Sequence, residues 1–231
     1  MECKKCGSVA VERHSKFVRS CHWGIVVTGI ITALSGMQLS KLFGFTLFDD
    51  AYALHIRMSF VFAGLWTLFM YFSIAEEWKW IKPSRIPYSI KFVLEEAVAW
   101  IKGGHVGDPR AYDPRRREYV EKIIPSQVLV FWTYVLLTAI IGITGLAMLY
   151  PEYFGPVYSA AEKMGLLFGT DNSYAFIRGL HRLTMFLYAT VMIMHAYAAT
   201  IFGTLSSMIS GYRREKVVSD SGRGSREPAD G

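Results

Sequence analysis

The sequence predicts an all-α integral membrane protein: a four-helix bundle with a cytoplasmic amphipathic loop helix and a C-terminal interfacial helix. Three observations carry that expectation. The chain is 231 residues long, 52% hydrophobic and 15% aromatic, which is more apolar than an ordinary soluble domain. Its apolar residues gather in four runs, each long enough to cross a bilayer core of about 30 Å with some tilt. Its Lys and Arg are sorted by segment, as insertion into a charged-lipid membrane requires.

The four runs are Ser20–Leu39, Leu54–Ile74, Val128–Tyr150 and Phe176–Thr200. The first has no small-residue cleavage site behind a short apolar core, so it reads as a retained helix. Leu39–Leu54 is a short connector ending in Phe48-Asp49-Asp50. Pro151–Arg178 is a longer one, with a weak helical pattern over Tyr158–Leu167. Its acidic and aromatic content suits either docking to an external protein or plain solvation. The central loop, Ala75–Pro125, is long for a bundle connector, and such loops usually hold structure of their own or carry function. Within it Ile90, Val93, Leu94, Ala97, Val98 and Ile101 fall on one helical face, as an interfacial helix would place them. Gly103–Pro114 reads as turn. A tail helix is expected over Ile201–Tyr212, closed by Arg213-Arg214, and the last dozen residues have a disordered composition. No internal repeat is visible.

Twenty of the 25 Lys and Arg lie in the N-terminal arm, the central loop and the tail, against five in the other two loops and their helix ends. Both termini are therefore expected in the cytoplasm, with the chain passing several times through the membrane. The net charge of +6 is explained by topology and anionic lipid, with no need of nucleic acid. The chain then divides into a cytoplasmic basic arm (1–19), the four-helix domain (20–202, including loop 75–125), and a basic tail (203–231).

His181 and His195 sit 14 residues apart in the fourth run. Fourteen steps of about 100° return the second ring to within about 40° of the first. At about 1.5 Å per residue the two are roughly 21 Å apart along the axis. One helix face thus offers an imidazole near each side of the membrane. His22 opens the first run and His55 the second. Ionisable groups inside a span are expensive and functional by default, the bland alternative being an interhelical hydrogen bond. Depth pairs them: His22 with His195 on the cytoplasmic side, His55 with His181 on the outer side. Four histidines at two depths are what two stacked b-type haems need, because neutral imidazole ligates haem iron axially. Arg57, Arg182 and, on the inner side, Arg19 are candidate partners for the anionic propionates. Each equally suits snorkelling or the charge bias of topology. Gly29, Ser35-Gly36, Gly64, Gly142, Gly145 and Gly179 would let helices or a flat macrocycle approach closely. Ordinary helix packing explains them as well. His14 and His105 lie outside the runs and are not assigned to haem.

Arg19-Ser20-Cys21-His22-Trp23, Ala33-Leu34-Ser35-Gly36, Leu54-His55, Gln127 before Phe131-Trp132, Thr144-Gly145 and the His181/His195 pair together resemble a known family. It is the di-haem cytochrome b (gamma) subunit of membrane-bound respiratory formate dehydrogenase, with the likeness running from about Phe17 to Arg214. The wider superfamily includes subunits of nickel–iron hydrogenase and thiosulfate reductase. The resemblance implies that the four histidines ligate two haems b in the pairing above. It implies electrons entering the outer haem from an iron–sulfur subunit attached to a catalytic dehydrogenase, and menaquinone reduced beside the inner haem, in a complex that can assemble further. It makes Gln127 a quinone-site residue, with Ser126 and Tyr134 the other polar side chains nearby. Where the family has Asn about three positions before that Gln, this chain has Ile124. A helix-start role for Gln127 remains open.

On this view the chain has no chemistry toward formate by itself. It is an electron conduit whose haems carry the redox reaction while the protein sets orientation and potential. Glu76 and Glu77 are candidate proton donors to quinone, or simply solvent-facing charges. A haem-free protein that conducts protons or binds metal through the same histidines is the alternative from another class. Cys3-Lys4-Lys5-Cys6 is half of a zinc or iron–sulfur site, either two reduced thiols or a half completed by another chain.

Overall fold

The computed structural model describes residues 7–218. Cys3, Cys6 and the final tail lie outside them. In chain order the elements are β1 (Ser8–Glu12), α1 (Lys16–Leu39), α2 (Ala51–Ile81), α3 (Ile86–Ile101), β2 (Ala111–Asp113), β3 (Glu118–Glu121), α4 (Ser126–Leu149), α5 (Gly155–Leu167), α6 (Ser173–Ile201), α7 (Leu205–Ser210) and β4 (Tyr212–Lys216). They form two compact units.

The first unit comprises Cys21–Tyr71 and Val130–Ala198, the greater part of α1, α2, α4 and α6. These are the four helices long and apolar enough to cross a membrane. All four begin ahead of their predicted runs, and in α1, α2 and α6 a side chain caps the added first turn. The Ser15 hydroxyl accepts from Val18 N at 3.3 Å, Asp50 Oδ1 from Ala53 N at 3.0 Å, and Asn172 Oδ1 from Ala175 N at 3.0 Å. These are N-cap bonds that satisfy otherwise orphaned helix donors. Asp50 is thus a capping residue. Helix α2 stops before Lys82-Pro83, where proline disfavours a helical predecessor. Large side chains such as Leu68, Leu183, Ile193 and Met194 are half or more exposed, a surface that water does not tolerate over such an area and lipid does. Hydroxyls inside the helices turn back on their own turns: Thr28, Thr67, Thr184 and Thr190 each donate to the carbonyl four residues earlier. That is how polar side chains are kept satisfied in hydrocarbon. The connector before α6 is also ordered. Helix α5 buries Ala161 against Ala147 and Ile177, with Tyr158 and Phe176 around them. So the weak helical pattern there marks a packed helix.

The second unit gathers the described parts of Met1–Ser20, Phe72–Leu129 and Ala199–Gly231. Here the arm, the central loop and the tail fold together. Strand β1 pairs antiparallel with β4, from Ser8 opposite Lys216 to Glu12 opposite Tyr212. Strands β2 and β3 form a hairpin whose turn is held by Asp113 Oδ1 accepting from Arg115 N at 2.9 Å. The expected tail helix is present as α7, shorter than its pattern suggested, because Gly211 at φ 91° closes it left-handed and presents its carbonyl to Arg13 N at 2.7 Å. Beyond Gly211 the chain runs as strand β4 rather than as more helix. Beside buried apolar residues such as Phe92, Ile124 and Val128, this unit holds a buried ionic network. Glu215 and Arg13 are buried and bonded at 2.7 Å, and Arg213 bonds the other Glu215 oxygen. Arg110, also buried, grips Asp108 through two bonds of 2.8 and 2.5 Å. Arg110 and Arg213 then donate to the Phe202 carbonyl at 2.7 and 3.2 Å. That carbonyl lies just past the end of α6, where free carbonyls favour cations. The neighbouring guanidinium holds the Asp108 carboxyl below its usual range against the opposing effect of burial. Helix α3 buries Ser89 and Phe92 and leaves Ile90, Val93, Leu94, Ala97, Val98 and Ile101 exposed, the face its pattern singled out.

Candidate haem site

All four span histidines belong to the helical unit, and they meet as two pairs. The rings of His22 and His195 lie 6.4 Å apart, centroid to centroid. Those of His55 and His181 lie 6.3 Å apart. A metal–imidazole bond of about 2 Å on each side, plus the radius of each ring, places two axial imidazoles about 6 Å apart. Both pairs therefore have the spacing of ligands that share one metal ion. Among the described residues no group of three or more His, Cys, Asp or Glu gathers to hold a metal. Two imidazoles facing each other with no third donor suit a metal that brings its own equatorial ligands, as the porphyrin of haem does. The residues present fit that group.

The two pairs are held differently. His181 Nδ1 lies 2.9 Å from the Thr144 hydroxyl. That hydroxyl's one hydrogen goes to the Ile140 carbonyl at 2.7 Å, so it accepts from the ring. His55 Nδ1 lies 2.9 Å from the Thr32 carbonyl and 3.3 Å from the Ser35 hydroxyl. Both rings are thereby fixed as Nδ1–H donors, which leaves Nε2 its lone pair for a metal. Each also lies over a glycine. A Cβ on Gly36 would come within 2.9 Å of His55 Cε1, and one on Gly145 within 3.3 Å of His181 Cε1. Ser35-Gly36 on α1 and Thr144-Gly145 on α4 thus do the same work for facing helices, a correspondence that no repeat in the sequence announces. At the other pair His22 Nδ1 is buried without a hydrogen-bond partner among the described residues. Its surroundings are aromatic: Trp23 at 5.5 Å and Phe69 at 6.4 Å. Tyr134 sets its ring edge-on to His195 at 6.2 Å.

Tyr188 is seven residues from both His181 and His195, on the same helical face. Its ring meets Tyr134 at 5.0 Å and Phe62 at 6.2 Å, and Trp66 joins Phe62 and Tyr134. Sequence reasoning missed this aromatic group. The seven-residue spacing from each histidine was the signal available.

The remaining sequence candidates are dispersed. Arg182 is half-buried beside His181. Arg57 is exposed and lines a surface recess with Phe48, Asp49 and Asp50. Arg19 belongs to the second unit, where it donates to the Ile209 carbonyl. Ser126 and Gln127 open α4, with Gln127 N donating to the Ile124 carbonyl at 2.9 Å, and Ile124 and Val128 are buried on either side. Glu77 is bonded to Lys122, while Glu76 is exposed. His105 pairs with Glu96 at 2.5 Å.

A search of curated protein sequences returns no match. The family model described as prokaryotic cytochrome b561 matches residues 13–211, which takes in all four helices and all four histidines. The chain belongs to the prokaryotic cytochrome b561 family, membrane proteins that bind b-type haem and transfer electrons.

Proposed function

We propose that the chain is the di-haem membrane subunit of a respiratory complex, carrying electrons from an external iron–sulfur subunit of a formate dehydrogenase-type enzyme to menaquinone. The observation that carries this reading is the pair of imidazole pairs at 6.4 and 6.3 Å within one helical unit. His55 and His181 would hold an outer haem b, and His22 and His195 an inner one. The haems supply reversible one-electron transfer when bound.

The chain's own residues do the rest. The histidines fix each iron's position. The layer of Phe62, Trp66, Tyr134 and Tyr188 fills the apolar interior at the midpoint of the His181–His195 stretch and excludes water there. Arg182, with Arg57 at the rim, supplies positive charge near the outer propionates, and Arg19 lies three residues before His22. Quinone binding falls to Ser126, Gln127 and Tyr134, with Glu76 the exposed carboxylate among the candidate proton donors. The Lys and Arg bias supports both termini in the cytoplasm, four passes through the prokaryotic inner membrane, and the bare face of α3 lying in the lipid interface. The arm, loop and tail together make the cytoplasmic cap.

The family also suits a subunit serving a nickel–iron hydrogenase or a thiosulfate reductase-type enzyme, and the co-purifying catalytic subunit separates these. The test of the reading itself is haem content per chain in detergent, together with reoxidation of the reduced haem by a menaquinone analogue. Two haems b, reoxidised by quinone and slowed by Gln127→Leu, is the expected result. A haem-free, correctly folded protein would move the weight to proton or metal conduction.

A further inference from the structure

We propose that Thr144, Thr32 and Ser35 set the haem held by His55 and His181 at a lower reduction potential than the haem held by His22 and His195. They would thereby fix the downhill direction through the membrane. The inference rests on the reading of the two pairs as haem ligands.

The chemistry is general. A ligating imidazole that donates its second N–H to an acceptor becomes a more basic ligand. A more basic axial ligand favours ferric over ferrous iron, and hydrogen bonding around the ligands is one of the protein's levers on potential. The question is then which rings have acceptors of fixed sense. At His181 the acceptor is a hydroxyl whose single hydrogen is already committed to its own helix, 2.7 Å from Ile140 O. It presents only lone pairs to the ring, 2.9 Å away. At His55 the acceptor is a backbone carbonyl at 2.9 Å, which cannot donate at all. The Ser35 hydroxyl beside it is likewise committed to Ile31 O at 2.8 Å. Close seating over Gly36 and Gly145 holds both rings against these acceptors. At the second pair the contacts are ring edges and faces, and buried His22 Nδ1 has no partner among the described residues. The asymmetry sits in two helices through the same Ser/Thr-Gly dipeptide, so it is a property of the fold rather than of one bond.

The test is a spectroscopic redox titration of detergent-purified protein. Thr144→Val keeps the shape and removes the hydroxyl acceptor, leaving His181 only the Ile141 carbonyl. It should retain both haems and move only the lower-potential component upward, while Thr144→Ser should leave it in place. Ser35→Ala should move the same component by less. His55→Ala identifies that component by deleting it. Two haems in Thr144→Val with unmoved potentials would overturn the proposal, as would a lower-potential component that survives in His55→Ala. A wild type with fewer than two haems would instead overturn the ligand reading beneath it, so the two failures are distinguishable. Should Thr144→Val lose haem, Ser35→Ala decides alone by the same upward shift or its absence.

Discussion

The two histidine pairs have nearly the same ring spacing and very different surroundings. His55 and His181 are clamped by hydrogen bonds they donate to the neighbouring helix and seated on glycines. His22 and His195 are lodged among aromatic rings. The spacing is what axial ligation demands, so both sites meet it. The surroundings are free to differ, and on the proposed reading they are where the protein would distinguish one haem from the other.

The sharpest way to break this comparison is to fill a glycine seat. Gly36→Val puts bulk where even a Cβ would stand 2.9 Å from His55 Cε1, so the haem at that pair should be lost while the other spectrum persists. Gly145→Ala meets its histidine at 3.3 Å, within what a small ring movement relieves. It should keep both haems with one spectrum perturbed. Absorption spectra at equal protein concentration distinguish the two outcomes.

A second prediction concerns the cap. Glu215→Gln takes from buried Arg13 its carboxylate partner and leaves Arg213 only Asp108, at 3.7 Å. Breaking a buried pair on one side costs about 3–5 kcal/mol, so the cap should become sensitive to limited proteolysis. The haem spectra of the four-histidine unit should hold.

The cap's response to pH is smaller and has a definite sign. Asp108 has a depressed folded pKa, so its contribution is present above the unfolded value and is lost as pH falls through the folded one. Tyr119 is pushed up to about 12 by burial and by Glu215. Its contribution is complete below its ordinary value near 10 and disappears as pH rises through about 12. Resistance of the cap to proteolysis should be flat between these limits, and Tyr119→Phe should remove the alkaline loss alone.

The smallest effect belongs to the aromatic layer. Tyr188→Phe gives up one hydrogen bond to Thr138 at 3.3 Å. In a membrane bundle that is worth about 0.6 kcal/mol, visible as a slight fall in melting temperature with both haems kept.

The histidine pairing was legible in the sequence because a helix converts spacing into depth with few exceptions. His181 and His195 on one face and His22 and His55 at opposite ends leave one geometric solution. The clamps were not legible. Ser35, Gly36, Thr144 and Gly145 read equally well as packing residues, because nothing local shows which side chain arrives from the facing helix. The cap was hidden for a different reason. Arg13 and Glu215 are 202 residues apart, and the basic arm, loop and tail each satisfy the topology rule on their own. Their charges gave no hint that some are buried against one another. The tail helix ends close to where it was expected, but the strand after Gly211 was hidden, because its partner is a segment near the other end of the sequence.

The most direct test of the central claim is haem loss in single histidine variants, read by reduced-minus-oxidised spectra and haem content. His55→Ala and His195→Ala should each retain one haem, and the retained haems should have different spectra and potentials. Loss of the same haem in both variants, or a wild type with a single haem, would contradict the pairing on which the account rests.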